Sequence, residues 1–262
     1  MQCPLADHPE ERTAAERRAT LKTQMLPGWN CTLIADHPVD VFDVGSSAQP
    51  FALVFLHDED GSTPSVNPAF TAKLNGRKLR CVAPRVGRSW WVDRVCPEFD
   101  AALTPEKHLL DNVIPWMQST WQLGPRSIAA AGVGMGGQGA VRLGFRHPAI
   151  FPVVASVAGA FDFHERYGKG TPLDALYPSR EHARQDTAIL HISAHDWPPH
   201  IWFVCPPESQ WHRSNDRLHE KLAAVGVPHT ADLDTSGMPE QFLTPMLAFV
   251  VASLERESRR LA

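Results

Sequence analysis

A run of small residues that ends in glycines constrains the fold of this chain more than any other feature of its sequence. Residues 129–140 read Ala-Ala-Ala-Gly-Val-Gly-Met-Gly-Gly-Gln-Gly-Ala. Such a run lets a buried strand turn sharply into a helix, because the two elements approach too closely for larger side chains. Gly132 and Gly136 stand two positions before and after Gly134, where this approach falls. The run predicts a strand, a tight turn centred on Gly134 and a helix. An ordinary glycine-rich turn of an α/β protein is the alternative.

Strand-like and helix-like segments alternate along the rest of the chain. Short apolar runs predict strands, and apolar residues at helical spacing predict helices. The predicted strands are 31–44, as early strands or a hairpin broken at His37-Pro38, then 51–57, 78–84, 128–133, 153–158, 201–205 and 231–233. The predicted helices are 10–23, 104–121, 136–146, 215–224 and 243–261. This alternation predicts an α/β fold with a mostly parallel central sheet and helices on both faces.

The composition is that of one ordinary globular domain. A chain of 262 residues fits a single α/β domain with one large core, so we expect one domain over 1–262 with a helical extension at about 1–25. The formal net charge of −4 offers no basic surface for nucleic acid. The first residues lack an apolar signal core, no stretch has the length of a membrane span, and the five cysteines show no paired spacing. We therefore expect a cytoplasmic protein with no membrane partner.

The glycine-rich run resembles the Gly-x-Ser-Met-Gly-Gly-x-Gly-Ala signature of the esterase D-like putative esterase family, a branch of the α/β-hydrolases. The chain departs from that signature at the serine itself, where Gly134 stands. Residues 202–209 resemble the strand and turn that present the acid in this family, and residues 216–229 resemble the helix and turn before the last strand. The resemblance runs from about residue 52 to residue 249 and implies an α/β-hydrolase-like fold.

The resemblance implies a catalytic triad whose positions have changed in this chain. The serine position is Gly134, the acid position falls at Glu208 or Ser209, and the histidine position falls at Met238. A nucleophile and its base act as a unit, so losing either is about as costly as losing both. We expect no serine-esterase turnover. Gly134→Ser alone should not restore it, since no imidazole stands ready to accept the serine proton.

The loops around the predicted turn supply candidates for an oxyanion hole and a pocket. The resemblance places the backbone N–H of Met135 and the loop at Asp58 at oxyanion-hole positions, although the family has glycine where Asp58 stands. Several of the eight tryptophans fall where loops leave the sheet, and such loops form the ligand crevice of α/β proteins. The candidate pocket-lining residues are His57, Trp90, Trp91 and Trp211, with core packing as the alternative.

Three functions remain open at this point. The chain is an esterase-like scaffold that has lost hydrolysis and keeps a binding, scaffolding or regulatory role, with a small-molecule ligand in the ancestral pocket. Alternatively, it is an active carboxylic-ester or related hydrolase with a rebuilt site, in which Glu208 works with a nearby histidine. The histidines that could be recruited are His195, His200, His212 and His229. Finally, it is a structural or assembly subunit with a filled pocket and a protein partner or a second copy.

The sequence favours no cofactor and no metal. His191 and His195 share a face only on a helix, yet residues 188–192 are predicted to be extended, which would separate the two rings. Residues 165–184 are predicted to form a long irregular excursion over one rim of the sheet. This excursion is either a lid or a plain surface connection.

Overall fold

The computed structural model describes residues 25–261, and its central feature is one mixed sheet. The strands are β1 (Trp29–Ile34), β2 (His37–Phe42), β3 (Ala52–Leu56), β4 (Arg80–Pro84), β5 (Ile128–Val133), β6 (Val153–Val157), β7 (His200–Val204) and β8 (Thr230–Asp232). They lie in the order β1-β2-β4-β3-β5-β6-β7-β8. β1 pairs with β2, and β2 with β4, in antiparallel fashion, whereas the remaining neighbours are parallel. The mostly parallel sheet expected from the sequence is confirmed.

Helices cover both faces of this sheet. They are α1 (Pro68–Gly76), α2, α3 (Met135–Arg146), α4 (Leu173–Leu176), α5 (Arg180–Gln185), α6 (His212–Ala224) and α7 (Leu243–Leu261). α2 combines an α-helical turn at Pro105–Lys107, a π-helix at His108–Val113 and an α-helix at Ile114–Trp121. Side chains of α2, α3 and α6 share one apolar core with one face of the sheet, and those of α1 and α7 share a second core with the other face. None of the helices within residues 25–261 has both the length and the apolar character needed to cross a membrane.

The predicted elements agree with the structure within a few residues, with some corrections. The predicted helix at 10–23, and with it the N-terminal extension, lies outside the described residues. The hairpin turns at Ala35 and Asp36, both at positive φ, so that β2 begins at the His37-Pro38 pair where a break was predicted. Thr104 caps α2 as expected, its Oγ1 accepting the N–H of Lys107 at 3.2 Å.

Two segments differ from the prediction in kind. Residues 188–192 are not extended, because Ala188–His191 forms a 3-10 helix whose first residue is buried in the core. A short apolar run does not by itself distinguish a strand from a helical turn. The excursion at 165–184 is not irregular throughout, since it contains α4 and most of α5, with Leu173 and Tyr177 buried.

Helix α1 was missed by the sequence prediction. It is short, and Phe70 and Leu74 are its buried residues, so that the apolar periodicity is weak. Its start nevertheless carries a recognisable signal. Asn67 caps the helix by accepting the N–H of Phe70 at 3.0 Å, and Pro68 occupies the first helical position.

Candidate functional site

Gly134 occupies the tip of a tight turn between β5 and α3. Its backbone has φ 53° and ψ −114°, a conformation that favours glycine, and its N–H donates to the carbonyl of Val157 at 3.0 Å. A Cβ added at Gly132 or Gly136 would overlap the backbone carbonyl of Leu56. The predicted strand–turn–helix corner is therefore confirmed, and its small residues are required by the close approach of β3, β5 and α3.

The carboxylate of Asp58 fills the space above this turn. A Cβ added at Gly134 would overlap both carboxylate oxygens of Asp58. Oδ1 accepts hydrogen bonds from the backbone N–H groups of Met135 and Glu59, each at 2.8 Å. The N–H that the resemblance assigns to an oxyanion hole is thus already occupied by an oxygen of this chain. Asp58 itself lies just beyond the end of β3, the strand next to β5.

Two opposing effects act on the Asp58 carboxyl. Burial disfavours its charged form and raises its pKa, an effect only partly offset by the N–H groups of Met135 and Glu59. The neighbouring charge of Asp60 raises the pKa further, and the more distant Arg166 lowers it. No ion pair to Asp58 is formed within residues 25–261. Asp58 is therefore a partly desolvated acid without a direct counter-charge in the described part of the chain.

The loops after β7 and β8 meet beside the remaining positions that the resemblance assigns to the triad. Oε1 of Glu208 accepts the N–H of Gly237 at 2.8 Å, directly before Met238. Hydrogen bonds from the backbone N–H groups of Glu208 and Gly237 lower the pKa of this exposed carboxyl. Oγ of Ser209 instead accepts the N–H of Trp211 at 3.2 Å. Of the two acid-position candidates, Glu208 is the one that reaches the loop carrying Met238, whose side chain is 65% exposed.

A cavity of about 460 Å³ opens beside Asp58, between the loop after β3 and the start of α7. The residues that line it are Phe55, Asp58, Asp60, Ser62, Thr63, Pro64, Val66, Asn67, Pro68, Phe70, Val133, Pro239, Glu240 and Leu243. Apolar walls therefore meet a group of carboxylates at the carboxyl edge of the parallel strands. Ligands of α/β proteins bind at this edge.

A buried polar cluster fixes the loop that forms one wall of the cavity. Asp40, on β2, is fully buried and accepts hydrogen bonds from Oγ1 of Thr63 at 2.5 Å and Oγ of Ser65 at 2.9 Å. Arg85 donates to the same carboxylate at 2.7 and 3.1 Å. These bonds attach the loop to the antiparallel edge of the sheet, so the cavity wall is held by the core.

The structure places the predicted pocket-lining residues away from this cavity. Trp90, Trp91 and His57 are at most 1% exposed, and Trp211 is half-buried. Nε2 of His57 accepts the N–H of Val86 at 3.2 Å, and the ring N–H of Trp91 donates to the carbonyl of His57 at 3.1 Å. The expectation is wrong for Trp90, Trp91 and His57, which are buried inside the fold as the alternative had it, and the half-buried Trp211 does not line this cavity. Burial also lowers the pKa of His57, which keeps its ring neutral.

The histidines considered as recruited bases do not contact Glu208. Nε2 of His200 pairs with Glu257 at 3.1 Å, and Nε2 of His212 donates to the carbonyl of Leu233 at 3.0 Å. His229 bonds to His219 at 2.8 Å. Within the described residues, no histidine ring bonds to the acid of the proposed rebuilt pair, and no group of three or more His, Cys, Asp and Glu residues is arranged to hold a metal ion.

Sequence reasoning missed much of the cavity wall. Asp60 and Glu240 bring further carboxylates, and Phe70 on the unpredicted helix α1 provides an aromatic wall. The run Asp58-Glu59-Asp60 after a buried strand was the available signal. Asp58 was expected in an oxyanion loop, and its side chain fills the space that a side chain at position 134 would need.

Comparison with known proteins agrees with this fold. A family model described as putative esterase matches residues 82–262, well over half of the chain, and the chain belongs to that family. No curated protein matches the sequence. Among solved structures, MPT51 (FbpC1) of Mycobacterium tuberculosis aligns with a TM-score of 0.67 and 17% identity over 87% of this chain and 98% of that chain.

Two further structures give the same result. A ferulic acid esterase aligns with a TM-score of 0.66 and 15% identity over 87% of this chain and 96% of its own. S-formylglutathione hydrolase (FrmB) from Staphylococcus aureus aligns with a TM-score of 0.63 and 13% identity, covering 83% and 92%. At these identities the likeness concerns the fold, which is that of the α/β-hydrolases.

Proposed function

We propose that this chain is a member of the putative esterase family that has lost serine-hydrolase chemistry and uses the site around Gly134 to bind a ligand. One observation carries the proposal: the Asp58 carboxylate fills the place of a nucleophile side chain and accepts the Met135 N–H. An oxyanion developing on a substrate would meet this carboxylate in place of free N–H donors.

The changes at the other two positions support the same proposal. Glu208 binds the backbone of Gly237 and not an imidazole, and Met238 offers a thioether that accepts no proton at neutral pH. General-base activation of a serine requires a base within hydrogen-bond reach of its hydroxyl. The cavity beside Asp58 stays open, which favours a binding role over a subunit whose pocket is filled.

Ester hydrolysis by the purified full-length chain tests the lost activity. We expect p-nitrophenyl acetate to be cleaved no faster than by an unrelated protein with as many surface histidines, because neither nucleophile nor base is in place. Turnover that a serine-directed fluorophosphonate abolishes would overturn the proposal. Turnover that resists this reagent and disappears in Glu208→Gln would replace it with the rebuilt-site hydrolase.

A further inference from the structure

The acids of the cavity differ from the acids buried elsewhere in the fold. Among the described residues, the buried acids each pair with an arginine: Asp40 with Arg85, Glu106 with Arg142, Asp162 with Arg217, and Glu257 with Arg126. The carboxylates of Asp58, Asp60 and Glu240 form no ion pair within residues 25–261. None of the described residues that line the cavity is basic. The cavity therefore carries negative charge that no basic side chain of the described residues pairs with directly.

Asp58 is held in a fixed orientation by backbone hydrogen bonds to one of its two carboxylate oxygens. Its Oδ1 accepts the N–H groups of Met135 and Glu59, whereas its Oδ2 accepts no hydrogen bond from the described residues. Asp60 is likewise fixed, since its carboxylate accepts the backbone N–H of Ser62 at 2.9 Å and the hydroxyl at 2.7 Å. An acceptor that is already oriented costs little ordering entropy when a donor binds.

Most of the remaining wall is apolar or aromatic, and Ser62, Thr63 and Asn67 are its polar residues. Phe55 and Phe70 contact each other edge to face with ring centroids 5.3 Å apart, and Val133 and Leu243 complete this side. A volume of about 460 Å³ lies in the range of small-molecule sites. Phenyl faces also attract cations, most strongly where water is excluded.

From this combination we infer that the cavity binds a small organic cation, whose ammonium group lies against Asp58 and whose apolar body lies between Phe55, Phe70 and Leu243. The inference rests on the proposed binding function and names its ligand class. An anion would be repelled by the carboxylates. A bare metal ion is disfavoured, because the acids of the described chain form no group with metal-ligand spacing.

Calorimetric titration of the full-length protein with three probes of one shape tests the ligand class. Benzylamine carries the cation, benzyl alcohol is neutral and benzoate is anionic. At neutral pH and low salt we expect benzylamine to bind at least about ten-fold more tightly than benzyl alcohol, and benzoate not to bind. Asp58→Asn keeps an acceptor for both N–H groups but removes the negative charge. It should therefore lower the affinity for benzylamine about ten-fold and leave the affinity for benzyl alcohol unchanged.

The control variant is Asp216→Asn, an exposed acid on α6, which should change neither affinity. If benzylamine and benzyl alcohol bound with equal affinity, the inference that the ligand is a cation would be overturned, whereas the proposed binding role would stand. The inference would also be overturned if none of the three probes bound. It would equally be overturned if wild type and Asp58→Asn bound benzylamine with the same affinity while their thermal melts matched. The ester assay tests the proposed loss of hydrolysis independently, so a failure of that proposal is distinguished from a failure of the ligand class.

Discussion

Glu106 and Asp58 both hold a carboxylate largely away from solvent, and the fold surrounds them differently. Oε1 of Glu106 accepts from Arg146 at 2.8 Å and from His147 at 3.0 Å, and its Oε2 pairs with Arg142, which is 1% exposed. These partners hold the pKa of Glu106 well below its ordinary value, at about 2, although burial alone would raise it. Asp58 has only backbone N–H donors, and burial raises its pKa. The pairing of Glu106 serves the fold, whereas the unpaired Asp58 in a cavity is what the proposed binding role rests on.

The largest effect should come from neutralising Glu106, and neutralising Asp58 should have a much smaller one. Glu106→Gln leaves the buried charge of Arg142 with one carboxylate fewer, and we expect a loss of about 3 kcal/mol in the free energy of unfolding. Asp58→Asn keeps both hydrogen bonds and removes a desolvated charge, so stability should stay equal or rise. Urea denaturation at pH 7 measures both. Glu181→Gln, which breaks an exposed pair with Arg184, is the control and should change little. If Asp58→Asn and Glu106→Gln lowered the free energy of unfolding by similar amounts, the contrast between the unpaired and the paired acid would be refuted.

Acid titration should separate the two carboxylates by the sign of their contribution. The pKa of Glu106 is lower in the folded than in the unfolded chain, so its stabilisation is present above pH 4.5 and is lost as the pH falls toward 2. This loss amounts to at most about 3 kcal/mol. The pKa of Asp58 is raised, so its protonation opposes this loss. Unfolding free energies measured between pH 5 and 2 should therefore fall steeply in wild type and less steeply in Glu106→Gln. An unchanged slope in that variant would contradict the assignment.

A double-mutant cycle tests the overlap at the turn. Gly134→Ala should cost about 1–3 kcal/mol beyond backbone strain, because the new Cβ meets the Asp58 carboxylate. In an Asp58→Gly background the cost of Gly134→Ala should be only the strain of a positive φ. The difference between the two costs then gives the free energy of the overlap with Asp58. Gly124→Ala is the matched control, since a Cβ there meets no atom within 4 Å. Additive effects of the changes at 58 and 134 would show that Asp58 does not occupy this space.

The sequence was sufficient for the fold and for the turn at Gly134, because strand and helix periodicity and small-residue runs are local signals. It also placed Glu208 and Met238 on the loops that follow β7 and β8. The orientation of the Asp58 side chain could not be predicted from the sequence, because that orientation depends on how β3 packs against β5 and α3. The burial of Trp90 and Trp91 could not be predicted either, because both residues take a positive φ that no local sequence pattern indicates.

The overlap between Asp58 and position 134 also bears on how this lineage can change. A serine introduced at position 134 would meet the Asp58 carboxylate, which the loop after the neighbouring strand β3 contributes, so this substitution alone is obstructed. On the proposed function, which takes serine as the earlier residue at position 134, a return to serine would have to follow a change at position 58. The order of these two substitutions is thereby restricted: position 58 changes first and position 134 second.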